Sequence, residues 1–257
     1  MEIEGQIVVV TGAASGIGRA LAEAFGKAGA KLVVSADRDR AGAEATAEAT
    51  GGLAVMADVS READIEALIE TVEEVQGPIG IFCSNAGIIH RGGVEIPNED
   101  WQNIWNINVM AHVWAARHVI PRMTSRGGGY LLNTASAAGL LNQVGAAPYA
   151  VTKHAAVGLA EWLSLTHGDA GIGVSVLCPQ AVRTAMTSST ESVAAVDGLL
   201  EAGPVAEACL DAIREERFLV LPHPEVLDYM RRKTADYDRW LGGMRRLNRK
   251  FGGDSGL

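Results

Sequence analysis

Tyr149 and Lys153 stand four residues apart where the chain turns helical, so the phenol and the ammonium stack on one helical face. A positive charge beside a phenol favours its ionised form and lowers its pKa from about 10. A tyrosine tuned in this way is a general base near neutral pH. Thirteen residues upstream, Ser136 follows the apolar run Tyr130-Leu131-Leu132 and supplies a hydroxyl. Tyr-x-x-x-Lys alone is a weak signal, since a half-buried tyrosine under a solvated lysine has the same spacing.

A second chemistry sits near the N-terminus. Gln6–Val10 is a short apolar run of the kind buried in a parallel sheet. It leads through Thr11-Gly12-Ala13-Ala14-Ser15-Gly16-Ile17-Gly18 into a helical pattern that lasts to Ala28. Glycines at such a corner let backbone N–H groups approach a pyrophosphate, and the helix N-terminus adds partial positive charge. The spacing is Gly-x-x-x-Gly-x-Gly, not the commoner Gly-x-Gly-x-x-Gly. The next apolar run, Lys31–Ala36, ends in Asp37. An acid there accepts hydrogen bonds from ribose hydroxyls and repels a 2′-phosphate, although a helix N-cap would also suit it. Arg38 next door could hold a 2′-phosphate. The balance favours NAD over NADP.

The elements that must position these residues alternate strand and helix. A third strand, Gly52–Ala57, ends in Asp58-Val59, and Ser60 is placed to cap a helix through Gln76. A fourth, Ile79–Cys83, ends in Ser84-Asn85-Ala86-Gly87. A long helical segment from Glu99 to Arg126 carries Asn108 among apolar residues, where a buried amide needs partners and could simply tie two helices together. Strand Tyr130–Asn133, the Ser136–Lys153 stretch, a helix to His167 and strand Val174–Cys178 follow, the last leading to Pro179–Thr184. An amphipathic helix, Pro204–Arg217, and a seventh strand, Phe218–Leu221, close the α/β pattern. Such alternation implies right-handed crossovers and a doubly wound sheet, whose carboxyl strand ends face the ligand crevice. Gly12, Asp37, Asp58 and Asn85 then share one edge.

Composition sets the frame. With 257 residues, 48% of them hydrophobic, the chain can bury a large core as one domain over 1–257. A net charge of −9 argues against nucleic acid as the main partner. Cys83, Cys178 and Cys209 are odd in number and lack metal-ligand spacing, which fits a reducing cytoplasm and gives no metal site. Neither a signal peptide nor a bilayer-length apolar run is visible, so the expectation is a soluble cytoplasmic protein without a membrane partner.

Taken in order, Thr11-Gly-x-x-x-Gly-x-Gly18, Asp58-Val59, Asn85-Ala-Gly87, Asn108, Ser136, Tyr149-x-x-x-Lys153 and Pro179-x-x-Val-x-Thr184 resemble the short-chain dehydrogenase/reductase family over the first three quarters of the chain. The resemblance implies a three-layer Rossmann fold with a mostly parallel seven-stranded sheet, binding NAD. It implies that Tyr149 exchanges a proton with the substrate oxygen, Ser136 hydrogen-bonds that oxygen, and Lys153 grips the nicotinamide ribose and lowers the tyrosine pKa. Asn108 would hold a water linking Lys153 to solvent. The Gly12, Ser15, Gly16, Ile17 and Gly18 corner would take the pyrophosphate. Asp37 and Arg38 would face the adenosine ribose, Asp58 and Val59 bracket the adenine, and Asn85, Ala86 and Gly87 line the adenosine side. Val182 and Thr184 would anchor the carboxamide. A homodimer or homotetramer pairing through the helices of Asn108 and Tyr149 is implied as well.

The chain also departs from the family pattern. Ser84 replaces an asparagine, Gln180 replaces the glycine after Pro179, and the valine-aspartate-glycine-glycine segment that often closes the dimer is missing. Residues 185–203 occupy the place of a substrate lid. Residues 223–257 form a helical tail rich in arginine and aromatics, which could bind nucleic acid or membrane, pack on a neighbouring subunit, or cap a substrate pocket. Substrate contacts are expected from Ile88–Arg91, Leu140–Ala146, Gln180 and the lid; most are apolar, which suits a hydrophobic secondary alcohol or ketone. An NADP(H)-preferring ketone reductase and a non-catalytic dinucleotide sensor are the alternatives.

Overall fold

A computed structural model describes residues 1–184, 186 and 197–251. Its centre is a seven-stranded sheet: β1 (Ile7–Thr11), β2 (Leu32–Asp37), β3 (Leu53–Met56), β4 (Ile79–Ser84), β5 (Gly129–Thr134), β6 (Ile172–Leu177) and β7 (Leu219–Val220). The order is β3-β2-β1-β4-β5-β6-β7, and every pair is parallel rather than most of them. The strand order reverses between β1 and β4, the switch point where α/β sheets open a crevice.

The helices are α1 (Gly16–Lys27), α2 (Arg40–Thr50), α3 (Glu62–Val75), α4 (Asn98–Trp105), α5 (Ala111–Ser125), α6 (Ala138–Leu141), α7 (Ala147–His167), α8 (Ala202–Arg214), α9 (Glu225–Ala235) and α10 (Tyr237–Phe251). Alternate residues of β1 serve opposite cores: Ile7 and Val9 pack with α3, α5 and α7 residues such as Leu68, Val119 and Ala160, while Val8 and Val10 pack with Leu21 and Phe25 of α1 and Val205 and Ile213 of α8. Burial on both faces is why these strands read as unbroken apolar runs.

Several boundaries differ from the sequence reading. The segment expected as one helix from Glu99 to Arg126 is α4 and α5 joined by a π-helical turn, Asn106–Met110, with Asn108 inside it. Ser60 does not cap α3. Its N–H is taken by Asp58 Oδ1 at 2.9 Å within a turn, the N-cap is Arg61 without a side-chain bond, and Asp64 Oδ2 accepts instead from the Asp58 N–H at 3.0 Å. Asp37 is not a helix cap either: α2 begins at Arg40 and is capped by Asp39, which accepts from the Gly42 N–H. The seventh strand shrinks to two residues. Among the described residues no helix is long and apolar enough to cross a membrane.

Candidate functional site

One cleft of about 1300 Å³ runs along the carboxyl ends of the strands. Of the residues singled out above, Gly12, Ser15, Gly16, Ile17, Gly18, Asp37, Arg38, Asp58, Val59, Asn85, Ala86, Gly87, Ser136, Tyr149, Lys153, Val182 and Thr184 line it. Asn108 stands behind the wall, fully buried.

The glycine corner is built by contact. Gly12 has φ +68°, and a Cβ there would meet Ala86 Cα at 2.8 Å. A Cβ on Gly18 would strike the Gly12 carbonyl and lie 2.6 Å from Asn85 Nδ2. At Gly12 and Gly18 backbone is therefore all that fits, which lets a phosphate approach the N–H groups at the start of α1. Asn85 is used mainly to tie strand ends together. Its Nδ2 donates to Thr11 O at 3.0 Å, its Oδ1 accepts from Thr134 Oγ1 at 3.1 Å, and its N–H donates to Thr11 Oγ1 at 3.0 Å. At the end of β2, Asp37 accepts from the Ala14 N–H at 3.0 Å and the Asp39 N–H at 2.9 Å, which fixes its carboxylate on the cleft wall. The donor set suits a dinucleotide: a glycine cradle for a pyrophosphate and a fixed carboxylate where a ribose hydroxyl would sit.

At the other end, Ser136 lies just beyond β5. Its Oγ accepts from the Ala138 N–H at 3.1 Å and donates to Pro179 O at 3.4 Å. Tyr149 occupies the first turn of α7, where Pro148 suits the N-terminal position. Lys153 is buried, its Nζ donating to Thr134 O at 2.9 Å and standing 5.8 Å from the Tyr149 ring centroid. Burial lowers the Lys153 pKa to about 8. The expectation that Lys153 draws the phenol down is not met by the protein's own groups: burial pushes Tyr149 above 10, and only its hydrogen bond with Ser136 acts downward. Desolvation outweighs a charge that lies beside the ring and is itself turned toward a carbonyl.

Asn108 ties the chain after β4 to the π turn and α7. Its Oδ1 accepts from the Ile88 N–H at 2.9 Å, and its Nδ2 donates to Ile88 O at 2.9 Å and to Thr152 Oγ1 at 3.2 Å. One turn further on, buried His112 hydrogen-bonds Asn133 through Nδ1 at 3.3 Å. Burial first, and the Lys153 charge second, lower its pKa to about 3. His90 meets Asn103 at 3.5 Å and does not line the cleft.

Beyond Tyr149, the expected Gln180 and Asp197 meet two residues the sequence did not assign, Tyr229 and His223. Gln180 Nε2 donates to Asp197 Oδ2 at 3.0 Å, and the Tyr229 hydroxyl donates to Asp197 Oδ1 at 2.8 Å. The Gln180 N–H donates to buried His223 Nδ1 at 3.2 Å. Gln180, the departure noted above, thus joins the β6 loop to Asp197 and, through it, to α9. Of the residues expected as a lid, 185 and 187–196 lie outside the described residues. The tail folds over its own chain's cleft: Val226, Tyr229, Met230 and Trp240 pack with Leu140 and Leu141, Lys233 Nζ donates to Leu140 O at 2.6 Å, and Arg232, Trp240, Met244 and Leu247 line the cavity. The Trp240, Met244, Leu247 spacing was the signal available in the sequence.

A family model described as short chain dehydrogenase matches residues 6–194. A 1-deoxy-11-beta-hydroxypentalenate dehydrogenase of Streptomyces exfoliatus is 35% identical over 246 residues, covering 92% of this chain and 90% of the relative. A meso-2,3-butanediol dehydrogenase of Serratia marcescens is 33% identical, over 73% of this chain and 76% of the relative. Among solved structures, a short-chain dehydrogenase/reductase of Burkholderia phymatum in complex with NAD superposes with a TM-score of 0.86 at 30% identity, over 93% of this chain and 96% of that one. The chain belongs to the short-chain dehydrogenase family. It is a Rossmann-fold oxidoreductase of the kind that acts on hydroxyl and carbonyl groups.

Proposed function

We propose that this chain is an NAD-dependent oxidoreductase interconverting a hydrophobic secondary alcohol and its ketone, with Tyr149 as general acid and base. The observation that carries the reading is the convergence of Ser136, Tyr149 and Lys153 at one end of a cleft whose other end holds the glycine corner and Asp37. When bound, the oxidised nicotinamide would accept the hydride and bring a positive charge into the cleft. Ser136 Oγ would orient the substrate hydroxyl, and Tyr149 Oη would take its proton as the carbon–hydrogen bond breaks, leaving the ketone. The phenol's upward shift in the protein by itself means that its ionisation depends on added positive charge. Lys153, charged below about pH 8, would hold the ribose and pass the proton onward. Gly87 leaves the space beside Lys153 and Asn108 free of a side chain, since a Cβ there would lie 3.3 Å from both Asn108 Oδ1 and Lys153 Nζ; a water linking Lys153 to solvent past Asn108 is part of the proposal.

Asp37 supports NAD. Arg38 is exposed on the same wall and makes no ion pair among the described residues, which is the one observation favouring an NADP(H) reductase. A hydrophobic substrate is supported by Ile88, Ile89, Leu141, Val144 and Ala146 on the wall, and an alcohol group by the hydroxylated substrates in the relatives' names. Val151, Trp162 and Leu165 leave apolar area exposed along α7, which supports a homodimer or homotetramer pairing through that helix.

Following NADH formation from steroid, terpene, aryl and aliphatic secondary alcohols tests the reading. Tyr149→Phe should lower kcat by about 10²–10⁴-fold while NAD still binds. A fully active Tyr149→Phe enzyme would sink the assignment.

A further inference from the structure

Arginine is distributed unevenly over this molecule. Around the body most of it is paired among the described residues, Arg38 and Arg40 excepted: Arg19 with Glu23, Arg61 with Asp64, Arg117 with Glu62, Arg122 with Glu70, Arg126 with Glu73, Arg183 with Glu201, Arg214 with Asp211 and Arg217 with Glu215 all lie within ion-pair distance. Lining the cleft, Arg91, Arg232, Arg239, Arg246 and Lys250 have no carboxylate partner among the described residues. The tail holding four of them carries eight basic and four acidic residues over 223–251, in a chain of net charge −9.

The carboxylates at this end of the cleft are already engaged. Asp197 accepts from Gln180 and Tyr229, and Asp236 accepts from the Arg239 N–H at 3.0 Å, where α10 begins. The cations are otherwise held only by weak contacts: Arg232 lies 5.6 Å over the Tyr229 ring, Arg246 Nη1 donates to its own helix at Gly242 O, and Lys250 sits 4.8 Å over Phe251. Interleaved with them on α10, Trp240, Met244 and Leu247 turn apolar surface to the same cavity. A wall of this kind, apolar between cations, matches a molecule with a hydrophobic body and an anionic end.

Resting on the alcohol–ketone reading above, we propose that the substrate carries an anionic group, a carboxylate or a phosphate, remote from the reacting carbinol, and that Arg232, Arg239, Arg246 and Lys250 receive it. The apolar walls would hold the body while Ser136 and Tyr149 meet the hydroxyl. The tail thereby sets substrate specificity without touching the reacting atoms.

The test compares matched pairs of hydrophobic secondary alcohols, lithocholate with its methyl ester and 12-hydroxystearate with its methyl ester, by turnover with NAD and by calorimetric binding to the NADH complex. A 3-hydroxyacyl coenzyme A against its N-acetylcysteamine thioester reads the phosphate arm. The acid or phosphate member should be preferred about tenfold in at least one pair, and the preference should fade as salt is raised from 0.05 to about 0.5 M. In an Arg239→Gln/Arg246→Gln/Lys250→Gln variant, whose changes lie on the exposed helix α10, the acid-to-ester ratio should fall toward one. Absence of any anionic preference, or a preference that survives the triple change, overturns the proposal. A matching loss of NADH affinity would assign the cations to the cofactor and overturn it too. These results are separable from the catalytic reading, which stands or falls on Tyr149→Phe whatever the anion does.

Discussion

The two ends of the cleft are built by opposite means. At the dinucleotide end, backbone meets backbone: Gly12 against Ala86, Gly18 against the Gly12 carbonyl, and Asn85 and Thr11 stitching the ends of β1, β4 and β5. At the other end, α9 and α10 are laid over the cleft from outside. α9 is fixed by Val226, by the Tyr229–Asp197 bond and by Lys233 on Leu140, whereas α10 has no fully buried residue. A site for an invariant ligand is set by main-chain geometry, and a site for a variable one is carried by side chains on a detachable surface.

The largest effect should follow from breaking the first kind of packing. Gly18→Ala would drive a methyl group into the Gly12 carbonyl and Asn85 and should cost about 1–3 kcal/mol or more, with NADH binding lost in a fluorescence titration and the thermal midpoint lowered. A pH dependence should mark the buried side next. His112 has a native pKa of about 3 against an ordinary 6.5, so the unfolded chain binds the extra proton as the solution is acidified. Stability is therefore complete above pH 6.5 and falls from 6.5 toward 3, by a few kcal/mol in all. Urea midpoints across that window should drop for the native chain, and His112→Gln should flatten the curve.

Smaller changes sharpen the contrast between ligands. Asp37→Ala should weaken NAD about tenfold and spare NADP, measured as the ratio of their KM values; an unchanged ratio would remove the carboxylate from cofactor choice. Smallest is Tyr229→Phe, which removes one hydrogen bond to Asp197, worth about 1 kcal/mol. It should raise the substrate KM severalfold with the NAD KM unmoved. Equal shifts in both constants would show that the two ends are not independent.

Legibility in the sequence follows the same division. β1, β2, β4, β5 and β6 were readable because burial on both faces leaves apolar runs, and the glycine corner because only glycine fits it. The π turn at Asn106–Met110 left no trace, since one wider turn shifts the apolar phase too little to show in a single helix. Residue type favours Ser60 as a cap, but the Asp58 turn sets the helix start one residue later. The direction of the Tyr149 shift depends on how deeply the phenol is desolvated and where Lys153 points, and spacing encodes neither. The tail's basic and apolar periodicity was visible, yet its destination was not, because a helix face does not name the surface that covers it.

That arrangement has a consequence for how the protein is made. All seven strands precede residue 223, so the nascent chain can complete its sheet and its dinucleotide corner on leaving the ribosome before α9 and α10 are available. The helices that line the other end of the cleft are encoded downstream of every strand of the sheet. Exchange or recombination confined to that downstream stretch would reshape one end of the cleft while leaving the folding of the sheet beneath it untouched.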